Sequence, residues 1–403
     1  MTERIFSNEK VNTGRQREID ALKAFSIMMM IITHCIDYLF FYEDHLPSVI
    51  IDDILAQSIG ASGFMACMGL GVAFSRKVSH KEYFKRGISL LMIGQAFNLF
   101  RYAIPSVIAY LMYSDPSHRI YTFLIFSSDI LQFAGLFFLC MGVFVLFKLK
   151  PWHIFLISVL ASIIGTILTL KIHTGSYALD QFIGFFIATE TESFFPLFNW
   201  LIYPAFGLVF GEILQYVKNK KLFYGMLLLP ASIVSAVYYY IGLVLDQDIF
   251  TVFTVWQSFC YVNTIEAIAH LFCISVMICL FFFMTYRLPD KVMKPAYFIS
   301  KNITRIYIVH YVIIESIIIL NQKNFKDSMT AGGCYALAAL FIVISLIVVW
   351  IYDRKLAKTA RAFFGRHIYF WYGVIIVISL ILCVWAYTGG AEFPNLYNNY
   401  LGL

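Results

Sequence analysis

The stretch AGGCYALAALFIVISLIVVWI, residues 331–351, contains no charged side chain and decides the fold class. A helix needs about 20 apolar residues to cross the hydrocarbon core of a bilayer, and this stretch is long enough. The same pattern recurs along most of the chain. Apolar segments of spanning length lie at 20–42, 58–75, 84–112, 121–147, 152–170, 195–217, 222–245, 257–286, 293–320, 330–353 and 367–388.

The composition of the whole chain supports this interpretation. Hydrophobic residues make up 60% of the 403 residues and charged residues 13%, which is more apolar material than one soluble core can bury. We therefore predict an all-α, polytopic membrane protein of about eleven transmembrane helices, with the lipid bilayer as its solvent. The net charge of +6 is spread between the apolar segments, so nucleic acid is not predicted as a partner.

The distribution of Lys and Arg predicts the orientation of the chain. These residues are concentrated in alternate loops, whereas the opposite loops collect Asp and Glu, and short basic loops stay in the cytoplasm. The N-terminus is therefore predicted inside and the C-terminus outside. The basic loops are 1–19, 76–86, 148–150, 218–221, 287–294 and 354–366.

The same pattern predicts a simple domain organisation. Residues 1–19 form a cytoplasmic segment, 20–388 a single transmembrane domain, and 389–403 an extracytoplasmic tail. The first apolar run is long and lacks a small-residue cleavage pattern, so it is predicted to remain as a helix of a multi-pass cell-membrane protein. The eight cysteines lie in or beside apolar segments without Cys-x-x-Cys spacing, so neither a disulfide framework nor a metal site is predicted.

One set of ionisable residues falls at a similar depth in five predicted helices. With a rise of ~1.5 Å per residue, His34, Arg101 and His310 lie roughly 21 to 25 Å from the cytoplasmic starts of their helices. Asp129 and Glu266 are expected about 12 to 13 Å below the outer ends of theirs. Charged groups inside hydrocarbon are costly, so these side chains are predicted to face a wet interior.

This outer set contains acids, bases and imidazoles, which are the groups that handle protons. Asp37 lies one turn from His34, and His270 lies one turn from Glu266, so each carboxylate could orient the neighbouring ring. A buried polar network that only fixes the register of the helices would use the same residue types. Both interpretations stay open for each residue taken singly.

A second set lies toward the cytoplasmic side. Lys85 and Arg86 open the third helix, where basic side chains also serve as anchors that reach the interface. Lys301 and Arg305 lie one turn apart inside an apolar run, an arrangement that suits an anionic phosphate entering from the cytoplasm. The whole set is Lys23, Lys85, Arg86, Lys301, Asn302 and Arg305.

Several short stretches resemble the transmembrane acyltransferase superfamily. REIDALKA at 17–24 resembles its first helix, KRGISLL at 85–91 and DILQFA at 129–134 resemble later pieces, and ISKN at 299–302 with YIVH at 307–310 resembles its Lys-Asn…Tyr-x-x-His helix. The likeness is greatest to the branch containing heparan-α-glucosaminide N-acetyltransferase and related bacterial proteins, which is related to acyltransferase family 3.

The resemblance implies particular roles. In the lysosomal enzyme a histidine just outside the first helix is regarded as catalytic, and His45 occupies the matching place. His34 matches the outer histidine of the bacterial O-acyltransferases, with Lys23 in the place of an arginine; lysine keeps the charge but loses the bidentate fork. The implied donor is acetyl-CoA, and a homodimer would be consistent with the family.

The leading hypothesis is transfer of an acetyl or other acyl group from cytosolic acetyl-CoA to a hydroxyl or amine of an extracytoplasmic glycan or similar acceptor. His34 or His45 would act as general base or hold the group as an acyl-imidazole, Asp37 or Glu266 would orient the imidazole, and Asn98 or Arg101 would stabilise the oxyanion. The catalytic candidates are His45, His34, Asp37, Glu266 and His310; the acceptor-binding candidates are Asn98, Arg101, Asp129, Gln132 and His270; the six residues of the second set are the CoA-binding candidates.

Two other classes of protein fit the same residues. Asp129, Glu266, His270 and His310 could form the proton relay of a proton-coupled transporter or flippase. A noncatalytic sensor or assembly subunit would need none of them for chemistry. The acceptor, the choice between O- and N-acylation and the length of the acyl chain stay open from the sequence.

Overall fold

The computed structural model describes residues 2–39, 47, 50–75, 79–189, 193–241, 261–321 and 329–389. Over these residues the chain is helical, and its β contacts are two isolated bridges. The α-helices are α1 (Thr2–Ile5), α2 (Arg17–Leu39), α3 (Ser62–Ala73), α4 (His80–Asn98), α5 (Ile104–Tyr113), α6 (Ile130–Leu146), α7 (Pro151–Leu168), α8 (Tyr177–Gly184), α9 (Leu197–Trp200), α10 (Ile202–Tyr216), α11 (Lys220–Tyr239), α12 (Thr264–Thr285), α13 (Asp290–Asn321), α14 (Ala331–Ile351), α15 (Ala357–Arg366) and α16 (Ile368–Thr388); π-helix occupies Ile50–Ala61, Leu99–Ala103 and Tyr352–Leu356, and 3-10 helix occupies Pro116–Phe126.

Nine helical stretches in the described part of the chain are long and apolar enough to cross a membrane. Two further apolar helices, Ser58–Ala73 and Ile130–Leu146, are shorter. The prediction of an all-helical, multi-pass membrane protein is confirmed, whereas the count of eleven spans stays a prediction. The nine stretches are Arg17–Leu39, His80–Tyr113, Pro151–Leu168, Leu197–Tyr216, Lys220–Tyr239, Thr264–Thr285, Asp290–Leu320, Ala331–Gly365 and Ile368–Thr388.

Two helices, α6 and α12, begin later than the hydropathy predicts. Asp129 caps the N-terminus of α6 from an extended backbone conformation, and Asn263 does the same for α12. Asp129 therefore precedes its helix, and Glu266 lies in the first turn. The prediction that these two acids lie well inside continuous helices is wrong, because capping side chains end the helices at those points.

Ion pairs join the starts of three helices at one end of the bundle. Arg17 Nη2 lies 2.7 Å from Asp290 Oδ1, which links α2 to α13. Lys220 Nζ lies 2.7 Å from Glu18 Oε1, which links α11 to α2. The starts of these three helices therefore lie at the same end of the bundle.

The N-terminal segment lies across the end of this bundle. The amide of Ser7 donates to the carbonyl of Tyr216, and the amide of Val11 donates to that of Gln215, at the end of α10. Both N···O distances are 2.8 Å. The side chain of Asn12 donates to the carbonyl of Leu214 over 3.1 Å. Backbone hydrogen bonds thus hold residues 5–12 in place as a short strap.

Glycines allow α3 and α10 to touch backbone to backbone. A Cβ atom built on Gly69 would lie 1.8 Å from the carbonyl oxygen of Pro204, and one built on Gly207 would lie 1.9 Å from that of Ala66. Neither helix could approach so closely with any larger residue at these positions. This contact holds α10 against α3, which in turn packs on α2.

We expect Gly69→Ala to destabilise the protein by about 3 kcal/mol, because the added methyl group must push two backbones apart. Gly71→Ala is the matched control, since a Cβ at Gly71 has nothing within 4 Å; its effect should stay within about 0.5 kcal/mol. The measurement is the free energy of unfolding in mixed detergent and dodecyl sulfate micelles. Equal stability of the two variants would contradict the close contact.

Candidate functional site

Four parts of the bundle bring ionisable and aromatic side chains together near its middle. They are the later part of α2, the π-helix Leu99–Ala103, the start of α6, and α13. We call these side chains the central cluster. Its members are His34, Arg101, Asp129, Tyr307, His310 and Tyr311.

Asp20 holds two of these helices in register. Its carboxylate accepts hydrogen bonds from Arg15 Nε at 2.5 Å and from the hydroxyl of Ser300 on α13. The hydrogen bond to Asp20 raises the pKa of Arg15, so the guanidinium stays charged at neutral pH. The Asp of the REIDALKA stretch therefore fixes α2 against α13 well below the level of the imidazoles.

Arg101 is the buried cation of the central cluster. Its side chain is 1% exposed, and Nη1 lies 2.6 Å from Asp129 Oδ2. The guanidinium carbon lies 4.6 Å from the ring centroid of Phe97, 4.2 Å from that of Tyr102 and 4.9 Å from that of Tyr311. An ion pair and three aromatic faces thus replace the water that a buried charge loses.

A π-helical turn positions this arginine. The α-helix α4 ends at Asn98, π-helix covers Leu99–Ala103, and α5 resumes at Ile104. Such turns insert an extra residue into a helix and occur often at functional sites. Because one residue rotates the helix by about 100°, the insertion decides which face carries Arg101.

Asp129 serves both a helix end and the cluster. Its Oδ1 accepts from the amide of Ile130 at 2.5 Å and from the hydroxyl of Tyr307 at 2.6 Å, while Oδ2 pairs with Arg101. The side-chain oxygen of Gln132 accepts from the amide of Asp129 at 3.3 Å and completes a capping box. The carboxylate is therefore fixed by groups from three helices.

Several buried donors of this region have no partner in the described part of the chain. They are Nε and Nη2 of Arg101 and Nε2 of Gln132. A buried donor left unpaired costs about 1 to 3 kcal/mol, which is unusual unless the group serves a ligand. These groups could donate hydrogen bonds to a carbonyl oxygen or an oxyanion.

His310 presents an open acceptor nitrogen. Its Nδ1 lies 3.0 Å from the carbonyl oxygen of Ile306, and because a carbonyl only accepts, Nδ1 carries the proton of a neutral ring. Nε2 then holds a lone pair, and it is buried without a hydrogen-bond partner among the described residues. This atom has the form that a general base needs.

His34 stacks on this ring from α2. The centroids of His34 and His310 lie 5.8 Å apart with planes 12° from parallel. The hydroxyl of Tyr311 lies 3.5 Å from His34 Nδ1. Asp37 follows one turn later on the same helix, and His45 lies outside the described residues.

Asn98 uses its amide nitrogen to hold the backbone beside the cluster. Nδ2 donates to the carbonyls of Ile125 and Ser127 over 2.9 and 3.1 Å. With these donors occupied, Asn98 positions the segment that leads to Asp129. Of the two residues considered for oxyanion stabilisation, Arg101 is the one with free donors.

Glu266 and His270 belong to a second buried cluster on α12. His270 Nδ1 lies 2.9 Å from the hydroxyl of Tyr203, and Nε2 lies 3.0 Å from that of Tyr238. Glu266 Oε1 is 3.9 Å from Nε2. Both ring nitrogens of His270 thus face tyrosine hydroxyls, whereas His310 keeps one nitrogen open.

The cations predicted for the cytoplasmic side fall into separate groups. Lys301 Nζ and Arg305 Nη1 each lie 3.1 Å from a carboxylate oxygen of Asp353, and Arg305 also donates to Asn302 over 2.7 Å. Arg86 lies over the ring of Phe138 at 4.0 Å. Lys85 is exposed on α4 and Lys23 is half-buried on α2.

Three members of the site region were not among the predicted residues. Tyr307 and Tyr311 flank His310, and Glu315 is a fully buried acid further along α13. The Tyr-x-x-His pattern at 307–310 could have indicated Tyr307, because residues three apart share a helix face. Only the packing of α2 and α4 against α13 identifies the others.

One comparison with known protein families gives a match. The family model described as heparan-alpha-glucosaminide N-acetyltransferase, catalytic, matches residues 15–244. This range includes His34, Arg101 and Asp129, whereas α12 and α13 lie beyond it. A search of curated proteins finds no match.

Proposed function

Because the chain belongs to the heparan-alpha-glucosaminide N-acetyltransferase catalytic family, we propose that it is a membrane acetyltransferase. It moves the acetyl group of cytosolic acetyl-CoA to a hydroxyl or amine of an extracytoplasmic glycan or a similar small acceptor. Family membership supports the acetyl-transfer chemistry. The donor, the acceptor and the residue roles are our proposal.

One observation carries it: the open nitrogen of His310 and the open donors of Arg101 belong to the same buried cluster. Acyl transfer needs a base for the proton of the acceptor and donors for the charge that develops on the carbonyl oxygen. His310 Nε2 would supply the first, and Arg101 Nε and Nη2 the second. His34, stacked on His310, is the second imidazole available for either role.

The proposed step balances without another reagent. The oxygen or nitrogen of the acceptor attacks the thioester carbonyl. At the same time, His310 takes the proton from that hydroxyl or amine. Arg101 stabilises the oxyanion, the carbon–sulfur bond breaks, and the imidazolium returns the proton to the leaving sulfur. A ping-pong route through an acyl-imidazole on His34 or His45 would use the same residues in two stages.

Acetyl transfer by the purified protein tests the proposal directly. Proteoliposomes containing the protein are given radiolabelled acetyl-CoA outside and glucosamine or extracted glycans inside. In a second preparation the acetyl-CoA is inside and the acceptor outside. We expect saturable acetyl-CoA binding and acetylated acceptor. Proton-coupled movement of a solute without any acetyl-CoA binding would instead support the transporter.

Lys301 and Arg305 are proposed to hold phosphate groups of the donor, with Lys85, Arg86, Lys23 and Asn302 as further candidates. Lys301 and Arg305 already bind one carboxylate together, so their donors converge on an anion. We expect K301Q/R305Q to raise the KM for acetyl-CoA by about tenfold or more with little change in kcat, because hydrogen bonds to charged groups contribute about 1.5 to 3 kcal/mol. K148Q/K150Q, which changes exposed lysines elsewhere, should leave KM unaltered; an equal effect of both variants would contradict the assignment.

The orientation and assembly complete the proposal. Eleven spans, a cytoplasmic segment at 1–19, a transmembrane domain at 20–388 and an extracytoplasmic tail at 389–403 fit the loop charges. The salt-bridged helix starts support one cytoplasmic face. Location in the cell membrane and a homodimer are part of the same proposal.

A further inference from the structure

A basic segment links two helices that are apolar enough to cross a membrane. We call residues 352–366, YDRKLAKTARAFFGR, the basic segment. It contains five Lys or Arg residues and one Asp. Because α14 precedes it and α16 follows it, the basic segment must lie at a membrane surface.

The acid of the basic segment forms ion pairs with another helix, not with the described bases of the segment itself. Asp353 binds Lys301 and Arg305 of α13, 3.1 Å from each. Arg354, Lys355 and Lys358 are exposed. These three exposed side chains give the described outward side of the segment a net positive charge.

Apolar side chains lie beside these cations. Phe363 and Phe364 are 59% and 47% exposed. Their rings lie 5.5 and 5.2 Å from the ring of Trp371, at the start of α16. Aromatic rings beside a basic helix favour the boundary between headgroups and acyl chains, where both kinds of side chain find partners.

We propose that the basic segment binds the headgroups of anionic phospholipids in the leaflet that it faces. The exposed cations supply the charge complementarity, and Phe363 and Phe364 supply the contact with acyl chains that a soluble anion lacks. This site is distinct from the central cluster and does not depend on the proposed acetyl transfer.

Energy transfer from protein tryptophans to dansyl-labelled lipids in detergent micelles tests this proposal. The purified full chain is titrated with labelled phosphatidylglycerol and, separately, phosphatidylcholine. We expect the wild type to bind phosphatidylglycerol more tightly than phosphatidylcholine. In R354Q/K355Q/K358Q the ratio of these two affinities should fall about tenfold. Glycerol phosphate should not compete, because it has no acyl chains; full displacement by it would overturn the lipid assignment.

K148Q/K150Q/K218Q is the matched control, because it removes three exposed lysines elsewhere with the same change of charge. An unchanged preference in the test variant, or an equal loss in the control, overturns the proposal. Wild-type protein in 1 M salt provides a measurement free of mutation. The preference should disappear there, since the screening length falls to about 3 Å, and its persistence would also overturn the proposal.

Discussion

Replacing His310 by Gln is expected to lower kcat for acetyl transfer by about 10²- to 10⁴-fold, the usual contribution of a positioned base. Gln keeps a polar side chain of similar size but cannot take the proton of an acceptor. Acetyl-CoA binding should be retained, because the proposed phosphate contacts lie elsewhere on α13. Radiolabelled acetyl transfer in proteoliposomes gives kcat, and equilibrium binding gives the affinity for the donor.

The histidines of the chain provide matched comparisons. His173→Gln changes an exposed imidazole and should leave kcat unchanged. His34→Gln and His45→Gln, assayed in parallel, separate the base from an acyl-imidazole carrier. If His310→Gln is fully active and either of these is not, the base is that other histidine; full activity in all three variants ends the proposal of histidine chemistry.

Asp129→Asn is expected to cost about 3 to 5 kcal/mol of stability, because it removes the carboxylate that is ion-paired with the buried Arg101 guanidinium. Asparagine caps helices about as well as aspartate, so the substitution removes charge while keeping the start of α6. The measurement is the free energy of unfolding in mixed micelles containing dodecyl sulfate.

Asp290→Asn is the control for this prediction. It breaks an ion pair with Arg17 whose Asp side chain is 75% exposed, so its cost should stay below about 1 kcal/mol. The double variant R101M/D129L should recover much of the lost stability, since it removes both buried charges. Equal stability of D129N and D290N would show that the buried pair contributes no more than a surface pair.

The apolar segments predicted the helices well because lipid demands long stretches without charge, and such stretches are visible in sequence. The two misplaced helix starts were also visible. Asp129-x-x-Gln132 and Asn263-x-x-Glu266 are capping-box patterns, and both form in the structure. Hydropathy alone passes over them, because their neighbours are as apolar as a helix interior.

Hydropathy indicates which helix carries each site residue, but it does not give the direction in which the side chain points. The face of the helix on which Arg101 lies depends on a π-helical turn that hydropathy does not reveal. Its approach to Asp129 also needs Gly87 of α4 and Gly135 of α6 to touch, where a Cβ on Gly87 would lie 2.8 Å from the carbonyl oxygen of Gly135. Such contacts between distant residues are properties of the packed bundle.

The strap formed by residues 5–12 also constrains the order in which the chain can be completed. The partners Asn12 and Leu214 are 202 positions apart, so the strap leaves the ribosome long before its docking surface exists. Contacts of such long range form late. Protection of these early residues from a protease during synthesis would therefore report that the helices up to α10 have been inserted and assembled.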